Sequence, residues 1–127
     1  MISRIHSATI VVADQDKALD FYVNTLGWQK VLDNQMGPDM RFLTVSPTSD
    51  GTQLVLGHPD WFPGTTGRGP GGETGISLIT NDIDATYKEL TAKGVRFKGE
   101  PETMPWGDKA AWFFDQDGNE FFLNEEK

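Results

Sequence analysis

The run Val12-Ala13-Asp14-Gln15-Asp16-Lys17-Ala18-Leu19-Asp20-Phe21-Tyr22, followed by Leu26-Gly27, sets the local grammar of the whole chain. Asp14 or Asp16 offers an N-cap. Ala18, Phe21, Tyr22, Thr25 and Leu26 form one helical stripe, and Gly27 supplies the stop. Before this helix, Ile5 to Ala13 is rich in Ile, Val and Thr and reads as a strand. After it, Trp28–Leu32, Met40–Ser46 and Thr52–Leu56 read as three more.

The same grammar recurs. A shift of 67 positions brings Ala18 onto Ala85, Gly27 onto Gly94, Asp50-Gly51 onto Asp117-Gly118 and Leu56 onto Leu123. The second half opens with Ile76–Thr80 as a strand. A helix from Asp82 follows, with Ile83, Tyr87 and Leu90 on its inner stripe and Gly94 at its end. Val95–Lys98, Ala110–Asp115 and Glu120–Asn124 then read as strands. The expectation is an α+β fold of two tandem βαβββ modules, near 3–57 and 72–125, within one domain spanning 1–127.

Between the modules, 58–72 is rich in Gly and Pro and reads as a loop. Trp61 and Phe62 inside it need somewhere to pack: against a sheet edge or a subunit contact, or as a lid over a cavity. The stretch Gly64–Gly72 lacks the Gly-Lys-Ser/Thr ending and does not run from a strand into a helix, so it is no phosphate loop.

Composition narrows the function classes. The 127 residues carry 11 Lys+Arg against 19 Asp+Glu, a formal −8, which repels nucleic acid and anionic membranes at long range. With no cysteine there is no disulfide, thiolate zinc site or thiol nucleophile, a usage that fits a reducing cytoplasm. Neither a signal peptide nor a transmembrane segment is legible. Two histidines leave few options for nucleophilic catalysis; His58, between Gly57 and Pro59, reads as solvated.

Aromatic residues say more. Phe113-Phe114 and Phe121-Phe122 must each split between two sheet faces, one ring under the helices and one for a cavity or a contact. Trp106, between Pro105 and Gly107, is expected at a cavity rim. Arg41 and Arg68 are candidates for a ligand carboxylate, with a solvated surface as the alternative.

The quoted run, its counterpart Asn81-Asp82-Ile83-Asp84-Ala85-Thr86-Tyr87 with Gly94-Val95, and the Asp115-Gln116-Asp117-Gly118-Asn119-Glu120 turn together resemble the vicinal-oxygen-chelate superfamily. That superfamily includes glyoxalases, bleomycin-resistance proteins and extradiol dioxygenases, and the chain is similar to a bacterial glyoxalase-like branch. Gln116 stands where the family turn has proline. The resemblance implies a curved, open sheet cup around a small-molecule cavity, and a homodimer. It does not imply one reaction.

Metal-using members of that superfamily hold a divalent ion with four His, Glu or Gln side chains, two per module. Carried over, the late positions fall on Val55 and Phe122 and the early ones on Ser7 and Gly75. Val55, Phe122 and Gly75 have no donor side chain, so no cofactor is expected. A displaced quartet, His6, Gln53, Glu73 and Glu120, obeys the 67-residue shift and keeps a divalent metal open as the alternative, although Glu73 lies at the end of the glycine-rich loop.

Two functions therefore stand. The first is a non-metal container for a small hydrophobic or aromatic molecule, of resistance or sequestration type, lined by Gln53, Trp61, Trp106, Glu120 and Phe122. The second is a divalent-metal-dependent lyase, isomerase or dioxygenase.

Overall fold

Asp14 and Asp82 open the two helices, each in extended backbone with its carboxylate accepting from the amide three residues on, Lys17 N–H and Ala85 N–H, both at 3.1 Å. The computed structural model describes residues 1–59 and 68–126. Among them no helix is long and apolar enough to cross a membrane. The protein is α+β, built as two compact units, Met1–Gly71 and Gly72–Lys127, each around one open mixed sheet.

The N-terminal unit runs β1 (Ser7–Val11), α1 (Gln15–Asp20), a π-helical turn (Phe21–Thr25), β2 (Gln29–Gln35), β3 (Arg41–Ser46) and β4 (Gln53–Gly57), with sheet order β1-β4-β3-β2. β1 pairs in parallel with β4, and the other ladders are antiparallel. Ile10, Leu43, Val45, Leu54 and Leu56 are buried with Ala18 and Tyr22 of the helical segment. The single regular helix expected up to Gly27 is instead a short α-helix that widens into the π turn, where Leu26 N–H reaches Phe21 O at 2.9 Å. Gly27, at φ +79°, still ends it.

The C-terminal unit runs β5 (Gly72–Thr80), α2 (Ile83–Ala92), β6 (Arg96–Phe97), β7 (Glu102–Thr103), β8 (Lys109–Phe114) and β9 (Asn119–Glu125). Its sheet order is β5-β9-β8-β6, with β7 also on β8. Two features depart from expectation. β7 is additional, and two residues are too few to show any periodicity. β5 begins at Gly72, four residues before the expected Ile76, because its first half pairs through a bulge that glycine makes possible. The β8–β9 turn is tied by Asp115, whose carboxylate accepts from Asp117 N–H, Asn119 N–H and the Asn119 amide.

Candidate functional site in the C-terminal sheet

Alternation along β8 and β9 sorts the aromatic rings of this unit into two groups. On the helix side, Tyr87 of α2 meets Phe97 at 4.9 Å, Phe97 meets Phe113 at 5.6 Å, and Phe113 stacks on Phe121 at 5.5 Å. Phe113 and Phe121 are fully buried, so this run is core. On the other side, Trp112 lies 5.0 Å from Phe122, its cross-strand partner, and Phe122 lies 6.3 Å from Trp106. Trp106, on the turn between β7 and β8, is 61% exposed. Trp112 and Phe122 are half-buried.

Glu73 of β5 stands directly opposite Glu120 of β9 in the parallel ladder. The next pair in register is Ser77 and Phe122, so β5 bulges between them. Gly75 adopts φ +73° in the bulge, a region that L side chains disfavour. The Thr74 hydroxyl donates to Glu120 O at 2.8 Å and accepts from Ile76 N–H at 3.1 Å, bonds that a regular ladder would give to backbone. The bulge borders a pocket of about 200 Å³ lined by Glu73, Ser77, Trp112, Glu120 and Phe122. Beyond Trp112 lies a second hollow of about 550 Å³, bounded by Lys98, Glu100 and Glu102.

Charge is unevenly placed on this face. Lys98 Nζ approaches Glu120 Oε1 at 3.6 Å; the lysine side chain is 58% exposed and the glutamate only 12%. Arg96 lies over the Phe114 ring, 4.6 Å from its centroid. Asn124 donates to Asp108 Oδ2 and Glu125 O, while its shielded Oδ1 has no donor among the described residues.

The corresponding region of the N-terminal unit is chemically different. Val55 is buried beside Thr44, its partner on β3. The Thr44 hydroxyl donates to Gln53 Oε1 at 2.8 Å and accepts from Leu32 N–H at 3.0 Å, where β2 bulges. The Gln53 oxygen is thus already engaged. Arg41 is occupied rather than free for a ligand or merely solvated. It forms a two-point bond with Asp33, at 2.7 and 2.9 Å, and reaches Asp16 at 2.7 Å. The Arg41 hydrogen bond holds the Asp33 carboxyl down at about 2, and Asp33 in turn raises the guanidinium.

The sequence-derived site residues fall as follows. Trp106, Glu120 and Phe122 share the outer face of the C-terminal sheet, and Gln53 belongs to the N-terminal sheet. Trp61, with the lid or packing role suggested for it, lies outside the described residues. Glu73, read as the end of a loop, is a strand residue, because the bulge lets β5 pair from Gly72 onward. His6 is exposed ahead of β1, its carbonyl accepting from Gln53 N–H at 3.0 Å. His58 is exposed, with Nδ1 3.1 Å from Pro59 O. Lys98 and Ser77 were missed. Lys98 follows a two-residue strand, and Ser77 reaches its position only through the bulge.

A metal centre of the superfamily's kind needs several lone-pair donors at one point. Beside Phe122 on β5 stands Ser77, and beside Val55 on β1 stands Thr9, a hydroxyl in each case next to an apolar side chain. Among the described residues no group of three or more His, Cys, Asp or Glu converges.

Comparison with known proteins gives a consistent result. The model of the Glyoxalase/Bleomycin resistance protein/Dioxygenase superfamily matches residues 4–123. The uncharacterized protein YetH of Bacillus subtilis (strain 168) is 35% identical, covering 98% of this chain and 100% of its own. A solved member of the same superfamily from Sphaerobacter thermophilus is 62% identical with a TM-score of 0.92, at 98% of both chains. TnmS3, an antibiotic binding protein from Streptomyces sp. CB03234, is 38% identical with a TM-score of 0.83, covering 99% of this chain and 98% of that one.

Proposed function

That the chain belongs to the Glyoxalase/Bleomycin resistance protein/Dioxygenase superfamily is the premise from which we propose that it binds a small, flat, hydrophobic or aromatic molecule without a metal or other cofactor, as a resistance or sequestration protein does. One observation carries the reading: Trp106, Phe122 and Trp112 form a partly open aromatic group on the sheet face away from α2. Rings on that face gain by covering a flat apolar ligand, which removes their surface from water and offers tilted or stacked partners. The similarity to an antibiotic binding protein over nearly the whole chain supports the same reading. The apolar residues at the family's ligand positions support a container rather than a reaction centre. The reading includes a superfamily-type cup around the ligand and a homodimer in the cytoplasm.

Titration of the purified protein with flat aromatic compounds, read by tryptophan fluorescence, tests it. Saturable quenching that survives chelator treatment and is weakened about tenfold or more in Trp112→Leu is the expected result. Absence of saturable binding across a panel of quinones, acridines and naphthols overturns it. The opposed carboxylates of Glu73 and Glu120 favour a second reading, a divalent-metal-dependent lyase, isomerase or dioxygenase. Stoichiometric uptake of Ni²⁺, Co²⁺, Mn²⁺ or Zn²⁺, lost in Glu120→Ala, would establish that reading instead.

A further inference from the structure

Resting on the aromatic-face reading, we propose that the pocket at the β5 bulge receives the cationic end of a flat aromatic ligand, and that Lys98 is a built-in competitor for the same carboxylate. The pocket has two kinds of wall. Trp112 and Phe122 present ring surfaces, whose negative faces attract cations. Glu73 and Glu120 present carboxylates, which when ionised only accept hydrogen bonds. About 200 Å³ is too small for a whole drug-sized molecule but holds an amino or amidinium group with part of its ring.

The charge on this wall is incompletely balanced. Glu120 is 12% exposed, and its one ion pair among the described residues is the 3.6 Å approach of Lys98, whose own side chain is 58% exposed. A carboxylate so far removed from water with such a loose partner gains from a closer cation. Glu73 has no ion-pair partner among the described residues. Arg96, the cation on β6 itself, already lies over the Phe114 ring. The formal −8 of the chain draws cations toward the surface in general, while the two glutamates fix where one would stop.

Competition by Lys98 requires two exposed side chains, Glu73 and Lys98, to act in opposite directions. The full chain is titrated with proflavine, a flat cation, and with anthracene-9-carboxylate, a flat anion of similar size, at low and high salt. Proflavine is expected to bind about tenfold more tightly than the anion at low salt, with the difference shrinking at high salt. Glu73→Gln weakens proflavine about threefold, and Lys98→Met strengthens it by a similar factor. A merely structural role would move both variants the same way, and circular dichroism confirms that each is folded. Equal affinity for the two probes, or a weakening by Lys98→Met, overturns the charge assignment and leaves the aromatic-face reading standing. Failure of both probes to bind overturns the two together.

Discussion

Trp112 and Phe122 occupy directly opposed positions on β8 and β9, their ring centroids 5.0 Å apart and their planes tilted by 56°. Cross-strand aromatic pairs of this kind stabilise a sheet modestly, so the pair is partly structural whatever else it does. Its half-buried state leaves ring surface for a ligand. Trp112→Leu is expected to cost about 1–2 kcal/mol of stability and to weaken flat aromatic ligands about tenfold or more. Urea unfolding and fluorescence titration of one preparation separate the two effects.

Phe121 and Phe122 are chain neighbours with different duties. Phe121 is fully buried against Phe113, and Phe122 is not. Phe121→Ala should lose about 3–5 kcal/mol through the cavity it leaves, whereas Phe122→Ala should lose clearly less yet impair ligand binding more. Equal destabilisation in the two denaturation curves would contradict the division of faces.

Asp33 and Arg41 make stability depend on pH in acid. The Asp33 carboxyl titrates at about 2 in the folded protein against 3.8 unfolded, chiefly through its hydrogen bond to Arg41. The stabilisation is therefore fully present above pH 3.8 and is lost as pH falls through about 2. Its size is at most about 2 kcal/mol, since the pair is still partly wet. Asp33→Asn should lower stability at neutral pH and flatten the acid limb between those values, read from urea midpoints along a pH series.

Gly75 is conformationally rather than sterically constrained. At φ +73° an added Cβ would meet nothing within 4 Å, so Gly75→Ala should cost only the left-handed backbone penalty, about 1–2 kcal/mol. If the variant instead relaxes the bulge, amide exchange along β5 will quicken around Thr74 and Ile76. Loss of much more than that amount would point to a clash that the geometry does not contain.

Much of the architecture is legible from local signals. Asp14, Gly27, Asp82 and Gly94 mark the helix ends because caps and left-handed glycines act within a few residues. Phe113 and Phe121 are separable from their neighbours by alternation alone. The π turn at Phe21–Thr25, the start of β5 and the short β7 are not legible, since each depends on partners far along the chain. The candidate site follows suit. Trp106, Glu120 and Phe122 could be singled out as residue types, but the Glu73–Glu120 pairing could only be suggested by the repeat. The ion pair from Lys98 could not be suggested at all.

Between Glu73 and Ser77 strand β5 takes four steps where β9 takes two. Side-chain direction repeats every second residue, so the surplus of two returns β5 to its original side beyond the bulge. Leu78 accordingly still meets Leu123 in register. An edge strand can thus take up extra residues at a bulge, remodelling its outer wall while the pairing beyond it stays in step.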